Sequence, residues 1–349
     1  MDKNINKAPE ISDFTNPNIR FFDKPWQMNL ELTNACPLKC PQCYIHTEEP
    51  FEMSLKTALS RLQDGALAGV KQVNLSGGET LCYPHLETII HECKELNMNC
   101  AIAISGINAT KEKLSALINA GVDHIFISLN GSTKEINEHS RDGFEHAIKA
   151  LETLTALDFK NRHINFVMNR FNAKNLPGMA LLCERYAIPH LAILCLKPDS
   201  KNDLRFFPDK DDMVIAADFI NKYKGSVKIT PEPCFSQLKA LLFSYGKERE
   251  NTGPVKGCTA GRTTVCVSAD GRLSPCRHLD IKEDFEHISD YWKNSEFLNE
   301  LRHIEDHRTP PCHGCYFEEQ CLPCQAIGLK LRNCLNTGMT QCPLAVRKL

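Results

Sequence analysis

The feature that most constrains the fold is a regular alternation of short apolar segments with helical segments between residues 27 and 196. Apolar side chains at helical spacing, such as Leu55, Leu59 and Leu62, lie between the apolar segments. Strands that alternate with helices form a parallel sheet with right-handed crossovers. The six predicted strands span residues 27–33, 71–75, 98–104, 124–129, 163–169 and 191–196. The sequence therefore predicts an α/β protein in which about six βα units form an incomplete barrel.

Composition and charge exclude several classes of partner. The chain has 349 residues, with 41 Lys and Arg against 43 Asp and Glu, so neither sign of charge dominates. A balanced surface does not attract nucleic acid or an anionic membrane. No apolar run approaches the roughly 20 residues that span a bilayer, and the amino terminus is polar. We therefore expect a cytoplasmic protein with no nucleic-acid or membrane partner.

The chain divides into three predicted segments. Residues 1–24 form a polar N-terminal arm, residues 25–225 form the partial barrel, and residues 226–349 form a second, cysteine-rich domain. In that domain, residues 263–269 and 272–276 read as two strands joined by a turn at Asp270-Gly271. This part is expected to contain a β-hairpin with short helices and loops.

The cysteines point to metal binding. The chain has 18 cysteines, too many to be disulfides in a reducing cytoplasm. Cys36, Cys40 and Cys43 follow the first strand, at the end where β/α barrels carry their active sites. Three thiols at this spacing can bind three irons of a cluster and leave the fourth without a protein ligand. The alternatives are a zinc site, which usually has four ligands, or three free thiols.

This CxxxCxxC spacing, followed directly by Tyr44, resembles the cluster loop of the radical S-adenosylmethionine (SAM) enzymes. The resemblance implies a partial (β/α)6 TIM-like barrel and a 4Fe-4S cluster whose open iron binds the amino and carboxylate groups of SAM. Reductive cleavage of SAM then releases a 5′-deoxyadenosyl radical. By the same resemblance, Tyr44 is expected to flank the adenine.

Gly77, Gly78 and Glu79 follow the second strand and look like the family's GGE motif, which holds the SAM amino group. Glycines allow a backbone to approach a ligand closely, and a carboxylate can accept hydrogen bonds from an ammonium group. Alone, the three residues would more often form a plain βα turn. Their position one strand after the cysteines favours the cofactor role.

Residues at the ends of the later strands complete the predicted SAM site. Ser128 and Asn130 resemble the position that contacts the SAM ribose or carboxylate in relatives, and Arg141 is a candidate partner for that carboxylate. Ser105 and Asn169 are weaker candidates, on position alone. A solvated arginine and an ordinary strand-end serine are the alternatives.

The cysteines after residue 257 resemble the SPASM extension, which carries two auxiliary 4Fe-4S clusters. By that resemblance Cys258, Cys276 and Cys324 ligate the first auxiliary cluster, and Cys312, Cys315, Cys321 and Cys342 ligate the second. Two residues separate Cys321 from Cys324, where the pattern commonly has three. Two zinc sites are the alternative for this half.

Three points about the cysteines stay open. Cys266 is either the fourth ligand of the first auxiliary cluster or a buried strand residue that leaves an open iron, and ligation is slightly favoured. Cys334 is an alternative to Cys342. The other cysteines are predicted to be buried small hydrophobes, any one of which could donate a hydrogen atom to a substrate radical. They are Cys82, Cys93, Cys100, Cys183, Cys195 and Cys234.

The resemblance implies an enzyme that matures a ribosomally synthesised peptide through a crosslink, thioether, epimerisation or oxidation. The implied partners are the peptide and an electron donor such as flavodoxin or ferredoxin. Because only 26 residues precede the first strand, we expect either a separate leader-binding protein or the barrel face itself to recognise the peptide. The alternatives are formylglycine formation, a small-molecule reaction such as tetrapyrrole side-chain decarboxylation, or a non-catalytic iron-sulfur or zinc scaffold.

Overall fold

The computed structural model describes residues 20–45, 49–197, 201–246, 257–279, 281–336 and 342–344. Most of the predicted N-terminal arm, residues 1–19, lies outside the described residues. The described helices include none that is long and apolar enough to cross a membrane.

A single sheet organises the described part of the chain. Its strands are β1 Gln27–Thr33, β2 Gln72–Gly77, β3 Asn99–Ile104, β4 His124–Ser128, β5 Arg162–Met168, β6 His190–Cys195, β7 Lys228–Pro231, β8 Thr264–Val267 and β9 Leu273–Ser274. They lie in the order β7-β6-β5-β4-β3-β2-β1-β8-β9. Every neighbouring pair is parallel except β8 and β9, which are antiparallel. The predicted α/β fold with a parallel sheet is confirmed.

Helices connect the parallel strands, and further helices follow the last strand. The connecting helices are α1 Leu55–Ala68, α2 Leu86–Glu95, α3 Lys111–Asn119, α4 Lys134–Glu138, α5 Phe144–Ala156, α6 Leu176–Arg185, α7 Lys210–Lys222 and α8 Ser236–Ser244, and those after β9 are α9 Ile288–Asn294, α10 Glu296–Arg302 and α11 Gln325–Arg332. The side chain of Ser54 caps α1 by accepting a hydrogen bond from the Thr57 amide, and Gly69 ends the helix in the left-handed region. The buried face of α1 includes Ala58 and Leu62, as the helical spacing predicts.

The sheet extends beyond the six predicted strands on both sides. β7 pairs with β6, so the parallel sheet continues past residue 225. On the other side β8 pairs with β1, with Gln27 opposite Thr264. The predicted hairpin is present as β8 and β9, and it covers the edge that β1 would otherwise expose. The division into domains at residue 225 stays a prediction.

One arginine joins the first half of the chain to the second. Arg61 of α1 donates hydrogen bonds from Nε to the Gly271 carbonyl oxygen at 3.0 Å and from its terminal nitrogens to the carbonyl oxygens of Glu286 and Phe285 at 2.6 and 3.2 Å. A guanidinium satisfies several fixed acceptors at once. Arg61 therefore ties the turn of the hairpin to the core.

Three histidines lie next to one another across the sheet, on the strands β4, β5 and β6. Nδ1 of His124 lies 3.0 Å from Nε2 of His163, and the ring centroids of His163 and His190 are 5.7 Å apart. Burial lowers the pKa of His163 to about 3, with the two neighbouring histidines acting in the same direction, and burial lowers that of His190 to about 4. These rings are therefore neutral at physiological pH.

Candidate active site

A cavity with about 2950 Å³ of empty space, part of it open to solvent, lies at the carboxyl ends of the strands. Its wall includes Cys36, Cys40 and Cys43 from the loop after β1, together with Gly77, Gly78, Ser105, Ser128 and Arg141. The same wall continues through Lys197, Glu232, Cys234, Cys258, Cys276, Arg277 and His278. One cavity thus joins the first cysteine loop to cysteines from the second half of the chain.

The two glycines at the end of β2, Gly77 and Gly78, hold the cysteine loop. The Gly78 amide donates to the Thr33 carbonyl at 2.7 Å, and the Glu79 amide donates to the Ala35 carbonyl at 2.8 Å. A Cβ atom on Gly77 would lie 2.1 Å from the Thr33 carbonyl oxygen, and one on Gly78 would lie 2.3 Å from that of Ala35. Glycine is therefore required at these two positions because the end of β2 packs directly against the backbone of the cysteine loop, whether or not a ligand also approaches.

Glu79 is buried and links the ends of β2 and β3. Its carboxylate accepts hydrogen bonds from the Leu81 amide at 3.0 Å, from the Ser105 amide at 2.8 Å and from the Ser105 hydroxyl. Burial raises the pKa of Glu79, while the bonds from Ser105 and Leu81 act in the opposite direction. Ser105, which the sequence suggested as a SAM contact by position alone, thus hydrogen-bonds to the Glu79 carboxylate. Contact between Glu79 and the SAM amino group stays a prediction.

Asn130 is fully buried and is not part of the cavity wall. Its amide nitrogen donates to the Ser140 hydroxyl at 3.0 Å, and its side-chain oxygen accepts from the Val167 amide at 3.0 Å. Asn169 donates to the same hydroxyl at 2.9 Å. Both asparagines therefore hold the turn that presents Arg141, which suits a positioning role better than direct contact with a cofactor.

Several polar atoms in the cavity wall lack a hydrogen-bond partner among the described residues. They are the hydroxyl of Ser76, Nε of Arg141 and Nδ1 of His278, all of which are buried. Unpaired buried polar atoms are unfavourable unless water or a ligand satisfies them. The wall is thus suited to a polar ligand, and Arg141 is one of its charged groups.

Tyr44 connects the cysteine loop to the second half of the chain. Its ring meets that of His278 edge-on, with the centroids 4.3 Å apart, and its hydroxyl shares a hydrogen bond with Arg277. Burial raises the pKa of Tyr44 to about 12. Nε of Arg277 also lies 4.0 Å from the Glu31 carboxylate on β1. Tyr44 is therefore held between the loop and the hairpin, beside the cavity.

The first three cysteines suit an iron-sulfur cluster by donor type and access. Cys36 is exposed, while Cys40 and Cys43 are half-buried. Burial raises the pKa of Cys36 to about 11 and also raises that of Cys40, where Arg141 acts in the opposite direction. Thiolates are the donors that bind iron-sulfur clusters, and coordination deprotonates them. The loop therefore offers three thiols as cluster ligands.

Cys234, Cys258 and Cys276 lie in the far wall of the same cavity. Interactions with the thiols of Cys258 and Cys324 lower the pKa of Cys234 well below its ordinary value. Cys276 interacts electrostatically with both Cys234 and Cys258. The structure thus groups Cys258, Cys276 and Cys324, as predicted for the first auxiliary cluster, and adds Cys234, which the sequence analysis placed among the buried small hydrophobes.

Cys266 lies apart from this group. It sits on β8 opposite Ser274 of β9 and Asn29 of β1, is fully buried, and is not part of the cavity wall. Its thiol hydrogen-bonds with Ser274. The slightly favoured assignment of Cys266 as a cluster ligand is therefore not supported by its placement, which fits the alternative of a buried strand residue.

The third group of cysteines lines a smaller pocket with about 450 Å³ of empty space. Its wall includes Cys312, Cys315, Cys321 and Cys342, the set predicted for the second auxiliary cluster, and does not include Cys334. Burial raises the pKa of Cys321 to about 12, with Cys342 and Cys312 adding to the shift. Among the described residues, no three Cys, His, Asp or Glu side chains are arranged to hold a single metal ion.

Lys197 and Glu232 are functional candidates that the sequence analysis did not identify. They form an ion pair inside the cavity, with side-chain exposures of 10% and 19%. The Cys195 amide also donates to the Glu232 carboxylate at 2.7 Å. Each follows the end of a strand, β6 or β7, and a charged residue at that position is the signal that could have identified them.

Residues 30–182 match the Radical SAM superfamily. Over these residues, the chain therefore contains a radical SAM domain. The domain implies a 4Fe-4S cluster and SAM as cofactors.

Named relatives extend the likeness to most of the chain. It is 26% identical over 333 residues to the PqqA peptide cyclase of Gluconobacter oxydans, covering 87% of each protein. It is 27% identical over 319 residues to the mycofactocin maturase MftC of Mycobacterium tuberculosis, covering 86% of this chain and 78% of that protein. The structure of Streptococcus suis SuiB bound to precursor peptide SuiA has the same fold, with a TM-score of 0.74 at 17% identity, covering 100% of this chain and 83% of that one.

Proposed function

We propose that this radical SAM enzyme modifies a ribosomally synthesised peptide. The observation that carries the proposal is the single cavity, open to solvent, whose wall runs from Cys36, Cys40 and Cys43 to Cys258 and Cys276. A substrate in this cavity lies between the two sets of thiols. The relatives support the choice of substrate, because two of them are named for peptide cyclisation or maturation and SuiB was solved with a precursor peptide.

The first cysteine loop holds the catalytic cofactors. Cys36, Cys40 and Cys43 would hold the 4Fe-4S cluster, and the cluster with SAM would supply radical chemistry for hydrogen-atom abstraction from the substrate. Tyr44 would border the adenine, and Arg141 would pair with the SAM carboxylate through Nε, which has no hydrogen-bond partner among the described residues. The protein's part is to bind, orient and exclude water.

The backbone around Gly77, Gly78 and Glu79 forms the floor of the SAM site. Glu79 is held in place by Ser105 and Leu81, so its carboxylate is oriented before any ligand binds. Carboxylate oxygens carry more than one lone pair and accept further hydrogen bonds. Glu79 therefore receives the SAM amino group, while Ser128 at the end of β4 contacts the ribose and Asn130 positions Arg141.

The other cysteine groups hold two auxiliary 4Fe-4S clusters. Cys258, Cys276 and Cys324 belong to the first, and Cys312, Cys315, Cys321 and Cys342 to the second. The first auxiliary cluster borders the substrate cavity, whereas the second occupies a separate pocket and is suited to exchange electrons with an external donor such as a flavodoxin or ferredoxin. A separate leader-binding protein is the further partner that we propose.

Co-expression with short peptides encoded beside the gene tests the substrate class. We expect one such peptide to acquire a mass change, measured by mass spectrometry, that depends on an intact Cys36 loop. Co-expression of the same peptides with the Cys40→Ala variant serves as the control. Cleavage of SAM without modification of any peptide, together with turnover of a small molecule, would contradict the proposal.

A further inference from the structure

We propose that Cys234 is the fourth protein ligand of the first auxiliary cluster, with Cys258, Cys276 and Cys324. The proposal rests on the proposed function, because it assumes that this cysteine group holds a cluster. Cys234 lies outside the short cysteine motifs of the second half. Its assignment comes from where the fold places it.

Two contacts bring the chain segments of these cysteines together. The hydroxyl of Ser236, at the start of α8, donates to the Leu322 carbonyl at 2.7 Å. On the other side Gly257 packs so closely on Leu322 that a Cβ atom would lie 2.5 Å from the Leu322 Cβ. Leu322 therefore sits between the segment that carries Cys234 and the segment that carries Cys258. This arrangement delivers Cys324, two residues later, to both.

Strand β7 orients the Cys234 segment toward the cavity. The Glu232 amide donates to the Ile193 carbonyl at 2.9 Å, which continues the pairing of β7 with β6. Its side chain pairs with Lys197 at the end of β6. The chain then turns into α8, and Cys234 is left in the cavity wall beside Cys258 and Cys276.

A buried cation lies in the same cavity wall as Cys234. Lys197, with a side chain 10% exposed, lines that wall together with Cys234, Cys258 and Cys276. A cluster with four thiolate ligands carries net negative charge, and a buried cation nearby stabilises it. Cys266, the other candidate for the fourth position, is buried on β8 opposite Asn29 and Ser274 and lies outside this wall.

Four protein ligands have a consequence for the reaction. With Cys234 in place, each iron of the first auxiliary cluster has a thiolate ligand, and none is open to the substrate. The cluster then serves electron transfer and does not bind the substrate directly. Its neighbour Lys197 becomes a determinant of its reduction potential, because nearby charge shifts the potential of iron-sulfur clusters.

The test uses the full-length chain with Cys36, Cys40 and Cys43 changed to alanine, so that only the auxiliary clusters are loaded. Cys234→Ala and the matched control Cys266→Ala are added to this background, and each protein is reconstituted anaerobically. Iron content and the electron paramagnetic resonance spectrum of the reduced protein are measured with and without imidazole. Imidazole binds an open iron and shifts its spectrum.

We expect the parent to hold about eight irons per chain. Cys234→Ala should either lose about four of them or show a spectrum that imidazole shifts, whereas Cys266→Ala should match the parent. The proposal is overturned if Cys234→Ala keeps all its iron and its spectrum does not shift with imidazole. It is also overturned if Cys266→Ala is the variant that loses iron or shows the imidazole shift. A parent without auxiliary iron refutes the proposed clusters themselves, which separates that failure from a wrong ligand.

A second measurement uses the unmodified chain, so its result does not depend on whether the variants fold. Iodoacetamide labelling before and after reconstitution should show Cys234 becoming protected together with Cys258 and Cys276. Continued labelling of Cys234 in the reconstituted protein, with the other two protected, contradicts its ligation.

Discussion

Changing Gly78 to alanine is the sharpest perturbation of the cysteine loop. The added Cβ would lie 2.3 Å from the Ala35 carbonyl oxygen and 2.6 Å from its carbon, and both are backbone atoms that cannot rotate away. Ordinary contact begins near 3.4 Å, so the loop has to retreat by about 1 Å. A displacement of that size in a catalytic constellation lowers rates by roughly 100-fold.

The assay is the initial rate of 5′-deoxyadenosine release per bound cluster, after anaerobic reconstitution with SAM and dithionite. We expect Gly78→Ala to lower this rate by roughly 100-fold while iron in the auxiliary sites is unchanged. Gly65→Ala is the matched control, because its Cβ would meet the flexible end of Met28 at 3.2 Å and the Val70 side chain at an ordinary contact distance of 3.6 Å. A Gly78→Ala rate within twofold of the parent would refute the role of Gly78 in docking the loop.

Three further predictions address other parts of the molecule. Cys315→Ala should leave some SAM cleavage but lose the peptide product, measured by chromatography and mass spectrometry, and full product yield would contradict the second auxiliary site. Arg61→Ala should lower the free energy of unfolding by about 1–3 kcal/mol, because three carbonyl groups lose their donor, and an unchanged urea midpoint would contradict this. The pKa of His163 is about 3 in the folded protein against an ordinary value of 6.5, so the unfolded state binds a proton at a higher pH than the folded state does. The free energy of unfolding should therefore fall as the pH drops below 6.5 toward 4. Urea titrations at pH 7 and pH 5 should show a smaller fall for His163→Gln than for the parent, and an equal fall in both proteins would contradict this.

The sheet could be predicted closely because its strands carry a local pattern, in which buried residues alternate with half-buried ones in β1, β2 and β4. The alternation in β1 predicted its bounds, Gln27–Thr33, and the hairpin at Asp270-Gly271 followed from its turn residues. The pairing of β8 with β1 could not be predicted in this way. It joins segments far apart in the chain, and neither segment has a local signal for its partner.

In the candidate site too, residues within a local sequence pattern could be predicted, whereas residues brought together by long-range contacts could not. The spacing of Cys36, Cys40 and Cys43 is a local pattern and was sufficient to identify the loop. Cys234 has no such pattern, because its proximity to Cys258 depends on β7 and on contacts with Leu322. The placement of Asn130 outside the cavity wall could not be predicted for the same reason, since the Val167 amide that it binds belongs to another strand.

The most direct test of the central claim is SAM cleavage by the anaerobically reconstituted chain with dithionite. Cys36, Cys40 and Cys43 are predicted to hold a reducible cluster, so the chain should release 5′-deoxyadenosine and methionine, and Cys40→Ala should release neither. Tightly bound zinc with no SAM cleavage, or a Cys40→Ala variant that cleaves SAM as fast as the parent, would contradict the claim.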